Sequence, residues 1–386
     1  MSAVFDRSSL FQRSRPFWTG FDVPLAIAIA LLGVVGLLTM YSAGFDHGTR
    51  FADHGRNLLI AVCVLFLVAQ VPPQQLMRLA VPLYFVGLAL LVAIALSGLG
   101  VTRKGATRWL NVGITIQPSE IMKIAVPLML AWWFQRREGQ LRALDFAIAT
   151  LLVVVPVAFI VKQPDLGTAI LVLSAGFYVI FFAGLSWKLI VPVAVLGAVA
   201  VTAVIVSEES ICQPEVKWPM LRDYQKNRIC TLLDPTTDPL GKGFHIIQGE
   251  IAIGSGGTTG KGFMKGTQTH LEFIPERTTD FIFAAFSEEF GLVGCVGLLV
   301  GFAFLIFRGL MIAAEALTVF TRLLAGAITL SFFTYTFVNM GMVSGILPVV
   351  GVPLPFISYG GTAMVSLGLG LGLLMSISKS RRLLQS

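Results

Sequence analysis

Apolar residues run through this chain in long uninterrupted blocks, without the strict alternation that marks a half-buried strand. About ten blocks approach the ~20 residues that a membrane-crossing helix needs. They fall near 23–43, 57–71, 76–97, 118–134, 144–161, 166–184, 187–206, 280–307, 314–340 and 362–379. The pattern predicts an all-α integral membrane protein, with residues 1–386 as a single polytopic domain. Arg7, Arg13 and Arg15 ahead of the first block imitate a secretory signal. That block is too long for a cleaved apolar core and more spans follow it, so it reads as a retained first helix.

Between the blocks, Lys and Arg sort by side. With the N-terminus in the cytoplasm, the inner segments hold Arg136, Arg137 and Arg142 after the fourth block, Arg308 and Arg322 around the ninth, and Lys379, Arg381 and Arg382 after the last. This bias predicts that both termini are cytoplasmic. The short outer segments are poorer, with Arg50, Arg56 and Lys162, except for a cluster of Arg103, Lys104 and Arg108. An outer basic cluster opposes the topology rule and asks for another reason, such as an anionic ligand. The longest polar segment, 207–279, lies between the seventh and eighth blocks and falls on the extracytoplasmic, periplasmic side. It is too long for a simple connector, and loops of this size on a rigid scaffold often carry function.

Composition agrees. The 386 residues are 55% hydrophobic and 13% charged, with mean hydropathy +0.82, where soluble domains carry about 25% charge. The net charge of +7 resides in short topology-setting clusters and not in a basic stripe interleaved with aromatics, which excludes nucleic acid as a partner. Cys63 and Cys295 sit in apolar blocks as small hydrophobes. Cys212 and Cys230 lie in the long polar segment, where an oxidising compartment allows a disulfide and the sequence leaves it open.

Ionisable residues at span depth are costly and become functional candidates by default. Asp280 opens the eighth block in PERTTDFIFAAFSEEFG. One reading is a helix cap made by Asp280 or Thr279; the other is a general base at the membrane boundary. Glu288 follows two turns later near the same face, beside Glu289. The pair reads as a buried hydrogen-bonded carboxylate matched to a basic residue elsewhere, or as a contributor to the chemistry. In RWLNVGITIQPSEIMKIAVP, Glu120 and Lys123 are spaced to meet on one helix face. They form either a structural ion pair or the polar wall of a substrate cavity, with Lys123 or Arg108 near a pyrophosphate. In KQPDLGTA, Pro164 and Gly167 bracket Asp165, as in a tight turn with an Asx cap or a broken helix entry lining a cavity.

The glycine-rich IGSGGTTGKG (253–262) invites a phosphate-loop reading but fails it, because Ser255 replaces the first glycine and Gly262 the Ser or Thr. It reads as a flexible loop. PLPFISYGGTAM (353–364) carries Ser358 and either packs only or shapes the outer mouth. His47, His54, His245 and His270 all fall in outer loops without ligand spacing, so no metal ligand set is expected. Carboxylates could still hold a divalent cation, Mg2+ or Mn2+, together with water and pyrophosphate oxygens.

Taken in order, RWLNVG–IQPSEIMKI, KQPDLGTA, DPLGKGFHIIQGEIAIGSGG–KG, FIPERTTDFIFAAFSEEFGLVG and PFISYGGTAM resemble the SEDS family (shape, elongation, division, sporulation) over nearly the whole chain. The LEFIPERTTDFIF wording is closer to its rod-elongation, RodA-type branch than to the divisome branch. The resemblance implies about ten transmembrane helices in the bacterial cytoplasmic (inner) membrane and peptidoglycan glycosyltransferase activity on lipid II. It also implies a class B penicillin-binding protein of the PBP2 type as partner, among other elongation-complex membrane proteins. It maps an essential acidic residue onto Asp280 and a polar cavity pair onto Glu120 and Lys123. Arg108, Asp165 and Ser358 complete the expected substrate contacts. The rival readings are a lipid II flippase or transporter and a non-catalytic scaffold of the elongation machinery.

Overall fold

The computed structural model describes residues 20–97, 100–103, 106–111, 115–213, 215–216, 218, 223–238, 241–274 and 276–385. Arg7, Arg13, Arg15 and Lys104 lie outside the described residues. Each of the ten expected apolar blocks forms a helix. These are α1 (Val23–Ala43), α2 (Arg50–Ala69), α3 (Pro73–Ser97), α4 (Pro118–Gln135), α5 (Ala143–Lys162), α6 (Leu166–Phe182) and α7 (Trp187–Val206). After the polar segment, which holds α8 (Glu208–Ile211), α9 (Asp223–Leu233), α10 (Lys242–Gly256) and α11 (Thr267–His270), come α12 (Ile282–Ala314), α13 (Val319–Val343) and α14 (Gly361–Gln385). Among the described residues, eight helices are long and apolar enough to cross a membrane, and α6 is a shorter apolar helix. Large apolar side chains such as Leu31, Leu196 and Val300 point outward, more than 60% exposed. Patches of this kind destabilise a protein in water and suit hydrocarbon, so this is an all-α membrane fold.

Local chemistry accounts for the helix starts. Asp22 caps α1 by accepting from Leu25 N at 3.1 Å, ahead of Pro24 in the first turn. Thr318 caps α13 by accepting from Thr321 N. At the end of the bundle where α1 begins and α14 ends, Arg308 of α12 grips the fully buried Asp22 through Nε (2.9 Å) and Nη2 (2.6 Å). That is the bidentate geometry a guanidinium is built for.

Helix packing uses small residues, because lipid supplies little hydrophobic drive between spans. Along α14, a Cβ on Gly368 would stand 2.3 Å from Ala61 O, and one on Gly372 2.8 Å from Leu65 O, so this face of α14 lies directly on α2. The core runs through α1, α4, α6, α12, α13 and α14. Helix α7 stands apart, with none of its residues buried.

Several expectations change. A small antiparallel sheet, β1 (Gly100–Arg103), β2 (Ala106–Asn111) and β3 (Thr115–Ile116), in the order β1-β2-β3, fills the connection between α3 and α4. Helix α2 begins at Arg50, seven residues before the apolar run, so His54 is a buried helical residue whose Nε2 meets Phe356 O at 3.1 Å. Cys212 and Cys230 form a disulfide tying α8 to α9.

The glycine-rich segment is not a loose loop. Its first residues finish α10, and the rest inserts at a break in α12, where Gly291 takes φ 63° and ψ −164°. The broken helix regains its hydrogen bonds from this insert. Leu292 N and Val293 N donate to Gly257 O (2.9 Å) and Thr258 O (3.0 Å), while Lys261 N and Gly262 N donate to Glu288 O and Glu289 O (3.0 Å each). Only glycine allows that approach: a Cβ on Gly260 would lie 2.1 Å from Glu289 O.

Candidate functional site

The candidate residues gather toward the end of the bundle opposite the start of α1, in three adjoining groups. The first is built on the N-terminus of α6. Asp165 is its N-cap, accepting from Thr168 N at 3.3 Å, as the Asx-cap reading expects. The buried carboxylate also accepts from Gln117 Nε2 at 2.8 Å and pairs with Arg108 Nη1 at 3.5 Å. Arg108 therefore arrives on the sheet, beside an acidic partner.

The second group shares the first turns of α4, where Pro118 follows the N-cap residue Gln117. Lys123 is buried and its Nζ lies 2.6 Å from both Glu120 Oε2 and Tyr335 Oη of α13. Ser366 of α14 donates to the same Glu120 oxygen at 2.7 Å. The i,i+3 pair thus forms as spacing predicts, and two hydroxyls from distant helices complete it.

Glu120 lines a cavity of about 860 Å³ between α2, α3, α4 and α14. One part of its wall is polar, with Arg56, Asn57, Gln117, Thr362 and Ser366; the other is apolar, with Leu83, Ile121, Ile124, Val365 and Leu369.

The third group surrounds Asp280. Helix α12 begins with Phe281 as its N-cap, so neither Asp280 nor Thr279 is the N-cap residue; the Thr279 hydroxyl instead donates to Glu276 Oε2 at 3.0 Å. Asp280 is half-buried, and its Oδ2 stands 3.2 Å from where a Cβ on Gly351 would be. Ser358 is buried; its hydroxyl donates to Thr279 O (2.7 Å) and accepts from Leu354 N (2.8 Å), so it braces the Asp280 approach. The segment around Gly351 joins this group to the first, since a Cβ on Gly167 would meet Val350 O at 2.8 Å.

Glu288 and Glu289 face away from this chemistry into the insert. Fully buried Glu288 accepts from Lys261 Nζ (2.8 Å), Gln268 N (2.8 Å), Thr269 N (3.0 Å) and Thr269 Oγ1 (2.9 Å), while Glu289 accepts from Ser42 Oγ. The basic partner expected from another helix comes from the loop. Nearby, Arg277 donates to Ala43 O (3.1 Å) and pairs with Asp46. Burial alone would raise the Asp46 carboxyl, but Arg277, with His47 and Glu272, outweighs it and holds the group well below the usual carboxylate range.

Asn339, Tyr335, Ser366 and Lys261 were not singled out from the sequence. A signal existed for Asn339, an amide inside an apolar span. The hydroxyls of Tyr335 and Ser366 look ordinary until the helices are packed. Among the described residues no three His, Cys, Asp or Glu gather as a metal site, so these side chains offer a divalent ion no all-protein ligand set.

A polytopic helical bundle with buried charge at one end and a half-polar groove defines an integral membrane protein with a charged site at one end of its helices. The profile of the FtsW/RodA/SpoVE cell cycle proteins matches residues 23–383, and the chain belongs to that family. It is 46% identical over 361 residues to the peptidoglycan glycosyltransferase MrdB of Escherichia coli strain K12, covering 93% of this chain and 94% of that protein. It is 32% identical to the stage V sporulation protein E of Bacillus subtilis, covering 94% and 98%. Among solved structures, a chain from work on the structural coordination of polymerization and crosslinking by a peptidoglycan synthase complex superposes with TM-score 0.78 at 32% identity, covering 94% and 99%. The rod shape determining protein RodA of Thermus thermophilus gives 0.68 at 27%, covering 94% and 98%.

Proposed function

We propose that this protein is a peptidoglycan glycosyltransferase of the multi-pass bacterial inner membrane that polymerises lipid II during rod-shape elongation, with Asp280 as general base. The groove beside Glu120 carries this reading. A wall polar at one part and apolar at another matches a substrate with a sugar–pyrophosphate head and polyprenyl tail. The segment 207–279 and the three charged groups then lie on the periplasmic face, where both termini are cytoplasmic.

Lipid II carries an α-linked pyrophosphate and the glycan bond formed is β, so a single displacement with inversion suffices. Asp280 takes the proton of the acceptor 4-hydroxyl as that oxygen attacks the donor anomeric carbon. The anomeric carbon–oxygen bond breaks, and undecaprenyl pyrophosphate leaves with the electron pair. Pyrophosphate is already a good leaving group, so the protein supplies charge and not an acid: Arg108 or Lys123 would stabilise the developing anion. One base and one departing group follow the inverting-glycosidase logic. A class B penicillin-binding protein is the proposed partner, supplying crosslinking.

The test is polymerisation of labelled lipid II by the purified complex with that partner, comparing wild type with Asp280→Asn at matched thermal stability. Loss of glycan chains supports the base. Undiminished chains sink that role, and no chains from the wild-type complex favour a lipid II transporter or a scaffold.

A further inference from the structure

Three consecutive carbonyls lead into α12, and each accepts one hydrogen bond from a distant part of the chain. Thr278 O accepts from Tyr359 N (2.8 Å), Thr279 O from Ser358 Oγ (2.7 Å) and Asp280 O from Asn339 Nδ2 (3.0 Å). Asn339 contributes a second bond, from Nδ2 to Val352 O at 2.8 Å. One amide thus clamps the Asp280 main chain to the segment whose Gly351 lies against the Asp280 carboxylate. The amide orientation follows from chemistry: both neighbours are carbonyl oxygens, which only the NH2 can satisfy.

Asn339 is fully buried in α13, and its Oδ1 has no hydrogen-bond partner among the described residues. A buried unpaired acceptor costs about 1–3 kcal/mol. For packing alone an apolar residue would serve better at this position, so the geometry calls for a purpose in the two donated bonds. Neither Asn339 nor Ser358 lines the groove beside Glu120. Both act on the backbone that presents Asp280.

We infer that Asn339 and Ser358 are positioning residues for glycosyl transfer, holding the Asp280 carboxylate at the acceptor hydroxyl by fixing its main chain and not by touching substrate. This rests on Asp280 acting as the base. A general base works over hydrogen-bond reach, and a misplacement of about 1 Å can lower the rate on the order of 10²-fold. Substrate binding in the groove is left intact, so the loss belongs to kcat and not to KM.

The experiment measures kcat and KM for labelled lipid II in the complex with the class B penicillin-binding protein. Asn339→Ala is expected to lower kcat on the order of 10²-fold with KM little changed. Asn339→Asp, which turns a carboxylate toward two carbonyl oxygens, loses at least as much. Ser358→Thr, which keeps the hydroxyl, recovers most of what Ser358→Ala loses. In an Asp280→Ala background, Asn339→Ala adds no further loss.

Wild-type kcat in Asn339→Ala, a loss confined to KM, or a full additional loss in the Asp280→Ala background overturns the inference while leaving the base in place. Normal turnover by Asp280→Ala sinks the base and this inference together. If Asn339→Ala does not fold, the Ser358 pair decides, and equal losses in Ser358→Ala and Ser358→Thr overturn it.

Discussion

Glu288 anchors the whole arm from 257 to 270, and the effect of neutralising it can be worked out bond by bond. Its Oε1 accepts from Lys261 Nζ, Thr267 Oγ1 and Gln268 N, and its Oε2 from Thr269 N and Thr269 Oγ1. In Glu288→Gln, the better amide orientation keeps an oxygen at the Oε1 position and turns the NH2 toward Thr269. The Thr269 hydroxyl rotates and accepts; the Thr269 backbone N–H cannot, and a buried unpaired donor costs about 1–3 kcal/mol. Lys261 keeps its hydrogen bond to the amide oxygen but loses the opposite charge, a further ~1 kcal/mol, at the low end because its side chain is 25% exposed and can turn to water. The expected loss is about 3 kcal/mol. Lys261→Met should cost as much or more, since it strands a fully buried carboxylate without its cation. The double variant should be milder than the sum of the two. The assay is unfolding of each purified protein in one detergent by SDS titration, followed by tryptophan fluorescence. A Glu288→Gln protein within about 0.5 kcal/mol of wild type, well inside the range of a neutral surface change, would refute this account of Glu288.

Other expectations follow from the same geometry. Lys123→Met strands Glu120 and should destabilise by about 2–4 kcal/mol, with Glu120→Gln recovering part of it in the double variant, read by the same titration; no recovery would show that the two do not form an energetic pair. Gly260→Ala adds a Cβ 2.1 Å from Glu289 O at a φ of 79° and should detach the insert, seen as new protease cutting within 257–270. Reducing the Cys212–Cys230 disulfide, or replacing both cysteines with serine, should cost about 3 kcal/mol in local order and raise hydrogen exchange across 207–233, leaving α13 and α14 unaffected. Because the Asp46 carboxyl is held below its ordinary range, its contribution to stability is full above the unfolded carboxylate pKa and fades only as pH falls below about 4. Because the His47 imidazole also contacts Asp46 and imidazoles change charge in this range, the comparison is made in a His47→Gln background: there Asp46→Asn should show a constant deficit between about pH 5 and 8, and a deficit that changes through that window would contradict the pairing with Arg277.

The spans were legible because twenty-residue apolar runs have few other uses, and the i,i+3 spacing of Glu120 and Lys123 gave their pair directly. Asp165 was legible as a cap because a Pro-Asp-x-Gly turn between apolar blocks leaves little else for the carboxylate. Where the sequence misled, the cause was long-range contact. RFADHGRN looks like a loop, yet it is helical, and its buried His54 meets a carbonyl 302 residues away. IGSGGTTGKG looks flexible because its glycines are read as freedom, whereas they are there to let two backbones touch. Tyr335, Ser366 and Asn339 gain meaning only when α13 and α14 are laid against α4 and α12. Ser358, expected to meet substrate, bonds the chain next to Asp280, a contact that only the packed helices reveal.

The break at Gly291 also settles a matter of length. An unbroken helix of 33 residues would measure about 50 Å, far beyond the ~30 Å of hydrocarbon in a bilayer. Divided at Gly291, residues 292–314 alone measure about 35 Å and match that thickness at a tilt of about 30°, within the range membrane helices adopt. The short piece from 282 to 290, buried within the protein over 282–289, then need not share that thickness. Under the proposed function, hydrophobic matching of the long piece would set the height of Asp280 to that of a sugar carried on an isoprenoid phosphate.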